Sequence, residues 1–359
     1  MQKRKKALAV VAGPYRLLQV LWLTLKYKEY DWSVVLLRYG ESLSVVENLK
    51  KACLDSGVFQ NVYTAITVGR YSTSIQKIRE TLRMCFYYII GKKKEYCLKF
   101  ITSYIPNFNY QLLCVASSYS FFEGAVLNFA YDIDTLIIQE GASDYIKATT
   151  NHNRITNFAS EFLYRMGYIN LNSKEYFFAY EKCTKYATLP NKLRYRGFKT
   201  IERMFDFSQT DKDAFLELIS KVFPISVKEY DAVIFTGPLQ LYGKNDGYPE
   251  VIRFLDDNFK NKRVLVKRHP QDITNYSCKN VVLEDKYSEI PGEILLQHLS
   301  NCKIYFFYPS TILIDILGND RFNYQIFHFN VGTDSSYHYN FKKSIDFLGI
   351  FSDKILELY

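Results

Sequence analysis

The sequence predicts two consecutive α/β domains, each built on a parallel β-sheet of the Rossmann type. Three observations predict it. Short, continuous apolar runs alternate with helical patterns, as expected of strands covered on both faces. The alternation occurs twice, separated by an interval over residues 150–210 in which it fades. The length of 359 residues, with 48% hydrophobic content, suits two cores of roughly 150–200 residues each.

The chain opens MQKRKKALAVVAG, basic and then apolar. That is the outline of a secretory leader, but the apolar run covers only residues 7–12. Pro14, Tyr15 and Arg16 follow where a cleavage site would be needed. It therefore reads as a first buried strand. A helix follows over 16–27, a strand over 33–37, a helix over 43–53 and a strand over 61–64. Residues 111–115 are a further strand, 123–130 a helix, and 135–139 a strand opening into Glu140-Gly141-Ala142-Ser143. The second series has strands at 230–235, 264–266, 281–283, 303–307 and 325–327. The boundary falls within 222–228, giving domains 1–224 and 225–343, and residues 344–359 read as an amphipathic C-terminal helix.

Composition narrows the function classes. The net charge is +9, with 31 Tyr and 27 Phe spread along the chain. Scattered aromatics point to a compositional bias rather than a stacking platform, and no nucleic-acid module is present. The seven Cys are at 53, 85, 97, 114, 183, 278 and 302, without CxxC pairs. That argues against a zinc site or a disulfide framework and suits the cytoplasm. His152, His298, His328 and His338 lack ligand spacing. No stretch reaches the roughly 18–20 apolar residues of a membrane span, and GxxxxGK[ST], GxGxxG and GxSxG are absent. Residues 83–99, with Lys92, Lys93, Lys94 and several aromatics, read either as a surface resting on an anionic membrane or as a solvated basic helix end.

In a doubly wound sheet, ligands collect at the carboxyl ends of the strands. Four places there carry polar groups. Gln139-Glu140-Gly141 offers a carboxylate that can accept a proton, or it is a plain strand-ending turn. Lys267-Arg268-His269-Pro270 suits a phosphate, or is a solvated basic turn. Ser310-Thr311, preceded by Pro309, is an N-cap that supplies hydroxyls to an anion, or an ordinary cap. Thr236-Gly237 opens the second domain, directly after the strand over 230–235.

The order of these segments resembles the bacterial sialyltransferases, which carry an acidic pair before Gly, then His-Pro, then Ser-Ser/Thr. Here they read Gln139-Glu140-Gly141, His269-Pro270 and Ser310-Thr311. The chain looks most like glycosyltransferase family 52, the lipooligosaccharide and capsule sialyltransferases. Glu140 to Tyr145, Phe235 to Leu239 and Ile290-Pro291-Gly292-Glu293 are similar to that family's segments. Gln139 departs from the pattern by replacing the first acid.

The resemblance implies a GT-B fold, two Rossmann-like domains facing a central cleft, with the C-terminal helix crossing back to domain one. It implies CMP-sialic acid as donor, a glycan or glycolipid acceptor ending in galactose, inversion at the anomeric carbon, and neither cofactor nor metal. Glu140 would be the general base and His269 the group at the leaving phosphate. Thr236, Gly237, Lys267, Arg268, Pro270, Glu293, Ser310 and Thr311 would surround the donor, and Gly141, Ser143 and Asp144 the acceptor. Asp132-Ile133-Asp134 looks like a metal-binding DxD, but it lies about 16 Å from Glu140, at the other end of the strand. Other readings are a transferase using CMP-Kdo, another CMP-nonulosonic acid or a UDP-sugar, and a non-catalytic glycan-binding relative. The expected location is the cytoplasm, peripheral on the inner face of the membrane, with self-association as a further expectation.

Overall fold

The computed structural model describes residues 4–38, 43–66, 79, 82–83, 86–87, 89–116, 121–129, 133–138, 175–178, 200–203, 209–226, 229–237, 249–269, 272, 274–299, 301–307, 312–313, 322–329, 341–342, 345–346 and 352–358. The chain divides into two compact units, Met1–Tyr145 with His152–Pro224, and Ile146–Asn151 with Ile225–Tyr359.

The first unit begins with β1 (Lys5–Val11), whose last five residues are buried. It turns through Gly13, at φ 82°, into α1 (Pro14–Lys26). Gly13 tolerates that left-handed φ, and Pro14 sits in the first turn, where its missing N–H costs nothing. Then come β2 (Tyr30–Arg38), α2 (Leu43–Ser56), β3 (Asn61–Ile66), α3 (Lys93–Thr102), β4 (Leu112–Ala116), α4 (Phe121–Phe129) and β5 (Asp134–Ile138). The interval in which the pattern fades contributes β6 (Glu175–Phe178) and β7 (Thr200–Arg203), followed by α5 (Gln209–Val222). The sheet order is β3-β2-β1-β4-β5-β6-β7, and every pairing is parallel, with Ala9 between Val34 and Cys114.

The second unit comprises β8 (Ala232–Phe235), α6 (Pro249–Asn258), β9 (Arg263–Lys267), β10 (Val282–Asp285), α7 (Gly292–Gln297), β11 (Lys303–Phe306), β12 (Asn323–Phe329) and β13 (Ile355–Leu358). Its order, β10-β9-β8-β11-β12-β13, is again all parallel. Both sheets therefore contain the 3-2-1-4-5-6 order of the dinucleotide-binding fold. The structure is two parallel-sheet α/β domains in series, the expected fold class.

Aromatic residues fill the second core. Phe306, Phe307 and Phe327 are fully buried. Tyr305 stacks on Phe327 at 5.2 Å, and Phe254 meets both edge-on. In this core the Tyr and Phe side chains serve packing, where a ring buries a large apolar area.

One expectation is corrected. Within the stretch 344–359, read from the sequence as an amphipathic helix, residues 352–358 are not α-helical. Residues 345–346 are helical, but Ser352–Lys354 is a 3-10 turn and Ile355–Leu358 is β13. This last strand pairs with β12, Phe327 opposite Leu356, and forms the described edge of the second sheet. A short apolar run satisfies either periodicity. The unpaired backbone groups along β12 decide for the strand, because each pairing replaces an otherwise open donor or acceptor.

Candidate functional site

The second sheet has its topological switch point between β8 and β11, where the strand order reverses. Three carboxyl ends meet there in register: Phe235 pairs with Lys267 on one side and Phe306 on the other. The ladder continues past the strands. Thr236 N–H donates to Lys267 O at 3.0 Å and Phe307 N–H to Phe235 O at 3.0 Å. Thr236, buried with 8% exposure, then makes a side-chain link across the strand ends. Its Oγ1 accepts the His269 backbone N–H at 3.0 Å. The His269 side chain is exposed at this edge.

The turn carrying His269 is held from its other side as well. His269 O accepts the Asp272 N–H at 2.8 Å. Asp272 is buried, accepting Thr274 N–H at 3.0 Å through Oδ1 and the Tyr276 hydroxyl at 2.7 Å through Oδ2. The Arg268 guanidinium lies 5.4 Å from the Tyr276 ring centroid and pairs with Asp285 at the end of β10. Asp272, Tyr276 and Asp285 thus fix the shape of this turn. Nothing in the sequence motif singles them out, since each is polar and at a different spacing from His269.

Lys267 and Arg268, two expected donor ligands, have protein partners. The Lys267 side chain is buried, 5% exposed. Its ammonium donates to Arg268 O at 3.2 Å and Ser288 O at 3.4 Å. Burial pulls its pKa down to about 8, against the opposing pull of Glu293, Glu289 and Asp285. A buried cation held by backbone carbonyls adds positive potential to this strand end. Glu293 is half-buried in the first turn of α7. The preceding Gly292 is closely packed: a Cβ there would displace the Ile312 Cδ1 methyl and come within 3.2 Å of Phe235 Cε1.

Thr236, Gly237, Lys267, Arg268, His269 and Glu293 are therefore placed. Glu140, Gly141, Ser143, Asp144, Pro270, Ser310 and Thr311 lie outside the described residues, as does Asp132. Among the described residues, no group of three or more His, Cys, Asp or Glu could hold a metal ion.

The first unit has its own switch point between β1 and β4. Here the sequence hid a buried ion pair. Arg16 Nη1 on α1 lies 3.4 Å from Glu123 Oε1 on α4, their side chains 8% and 0% exposed. The same Oε1 accepts the Ala116 N–H at 3.2 Å. Gln19, also on α1, is fully buried, with neither amide atom hydrogen-bonded. Polar residues on an apolar helix face were the available signal.

No family model matches the sequence, and no curated protein matches it. Solved structures do. The chain is similar to the glycotransferase of kitacinnamycin over 99% of its own length and 86% of that chain, at 9% identity and TM-score 0.48. It is similar to a protein assigned as a UDP-N-acetylglucosamine 2-epimerase from Listeria monocytogenes over 97% and 89%, at 10% identity and TM-score 0.47. It is similar to Acinetobacter baumannii MurG over 98% and 86%, at 11% identity and TM-score 0.38. With scores this low, the strand orders of the two sheets, rather than these likenesses, establish the fold.

Proposed function

We propose that the protein is a glycosyltransferase of GT-B type that moves a sugar from a nucleotide donor, with CMP-sialic acid as the donor and a glycan as acceptor. The observation that carries this reading is the latch between Thr236 Oγ1 and the His269 N–H, which holds an exposed imidazole at the carboxyl edge of the second sheet. A departing CMP gains negative charge as its glycosidic bond breaks. An imidazolium at that edge stabilises or protonates the phosphate, and buried Lys267 adds positive potential from below. Ser310 and Thr311 are assigned to the same phosphate by the motif order. Glu140 is assigned as the base that takes the acceptor proton, with inversion by single displacement.

The test is CMP release from CMP-sialic acid with galactose-terminated acceptors, run beside CMP-Kdo and UDP-sugars and repeated in excess chelator. Acceptor-dependent CMP release from CMP-sialic acid that persists in chelator is expected. Turnover of UDP-sugars alone would move the donor assignment to that class. No turnover of any donor, with measurable glycan binding, would support a binding protein instead.

A further inference from the structure

The segment preceding α3 carries a surface that the transferase reading does not use. Residues 79, 82, 83, 86, 87 and 89 are helical. Ile90 N–H donates to Phe86 O at 3.1 Å, Lys92 N–H to Tyr87 O at 2.8 Å, and Gly91 ends the turn at φ 71°. Leu82, Phe86, Ile89 and Ile90 are 63%, 58%, 76% and 44% exposed. At about 100° per residue, Leu82, Phe86 and Ile89 fall within an arc of about 60°. Arg79, Ile90 and Arg83 follow on one side of that arc, between it and Tyr87, which points well away from it.

Tyr87 shows that this helix is docked. It stacks on Tyr96 of α3 at 5.0 Å, and Tyr96 is 9% exposed. Phe100 of the same helix meets Phe122 of α4 at 5.8 Å. The face carrying Phe86 and Ile89 is therefore turned outward by its anchoring on the opposite side. Isolated exposed apolar side chains are ordinary, but four large ones within nine residues, three of them on one narrow face, mark a contact surface.

The surrounding charge selects the partner. Over 79–99 the sequence has six basic residues, Arg79, Arg83, Lys92, Lys93, Lys94 and Lys99, against Glu80 and Glu95. Arg79, Arg83, Lys92, Lys94 and Lys99 are exposed, and Glu95 is paired to Lys92 at 3.7 Å. An apolar ridge bordered along one side by arginines and followed by lysines is the pattern of a helix lying in a membrane interface. The ridge enters the acyl boundary while the cations stay with the headgroups. No helix among the described residues is long and apolar enough to cross a membrane.

We propose that this face, Leu82, Phe86 and Ile89 with Arg79, Arg83 and the lysines after Gly91, docks the protein onto an anionic lipid bilayer. The inference stands apart from the choice of donor and from catalysis. The test is co-sedimentation of the full chain with phosphatidylglycerol–phosphatidylcholine vesicles and with pure phosphatidylcholine vesicles. Binding to the anionic vesicles is expected, at least about tenfold above the neutral ones, and falling about tenfold between about 0.05 M and about 0.5 M NaCl. Phe86→Ser/Ile89→Ser should reduce it about tenfold or more with the thermal transition unchanged, because both side chains already face solvent. Binding that is equal on both vesicles, or untouched by the double variant, would overturn the proposal. So would absence of binding. A concentration-dependent dimer that the double variant returns to monomer, without vesicle binding, would make the face a self-association surface and refute it likewise.

Discussion

Thr236→Val separates holding the fold from holding the site. Valine keeps the shape of threonine and removes only the oxygen that accepts the His269 N–H at 3.0 Å. Losing a partner for a buried donor costs about 1–3 kcal/mol, and this bond is only part-buried, so the cost falls near 1 kcal/mol. For a unit the size of Ile225–Tyr359 that is about 3–5 °C in its thermal transition. The effect on the proposed reaction is larger. The latch joins the ends of β8 and β9, and releasing it lets the imidazole drift. A misplacement of about 1 Å at a reacting group costs about 10²-fold in turnover. The assay pairs calorimetry with CMP-release kinetics, and hydrogen exchange at the His269 amide reports the latch itself. Thr236→Ser, which keeps the acceptor, should stay within a few-fold of wild type. Turnover by Thr236→Val within about twofold of wild type, with the His269 amide exchanging faster, would show that the latch does not position the group proposed to act on the leaving phosphate.

Three further outcomes are expected. The buried Lys267 ammonium, at about 8, lies below its unfolded value of about 10.4, so between these pH values the unfolded chain holds a proton that the folded chain lacks, and stability rises with pH. The difference in urea stability between wild type and Lys267→Met should therefore shift by about 2–3 kcal/mol in favour of wild type from about pH 7 to about pH 10, and a constant difference would contradict the burial argument. Glu123→Gln keeps an acceptor for the Ala116 N–H but removes the carboxylate facing the buried Arg16 charge, costing about 1–3 kcal/mol by denaturant unfolding. Arg16→Met/Glu123→Gln should be the more stable of the two variants, and an additive double variant would argue that the pair is not coupled. On the proposed mechanism, Glu140→Gln and His269→Ala should each lose about 10²-fold or more in kcat with CMP affinity retained in Glu140→Gln, whereas normal Glu140→Gln with inactive Asp144→Asn would move the base to Asp144.

The sequence by itself determined the two-domain division and the central strands of both sheets. β1, β2, β4, β5, β8, β9 and β11 are runs buried on both faces, so their apolar composition announces them without reference to neighbours. It also drew attention to Thr236 and His269, because polar residues directly after such strands must lie at one sheet edge. Only the tertiary structure could recruit β6, β7 and β13. These are short, peripheral strands whose ladders depend on an edge already formed by β5 or β12, so local periodicity carries little of their signal. The same holds for the groups that give the candidate site its shape. Asp272, Tyr276 and Asp285 meet around His269 and Arg268 through hydrogen bonds, an ion pair and a ring contact made by chain folding. Arg16 and Glu123, 107 residues apart, become a pair only when α1 and α4 are brought together. Burial and long-range pairing are properties of the folded chain, and only there does Lys267 become a buried cation held by the Arg268 and Ser288 carbonyls.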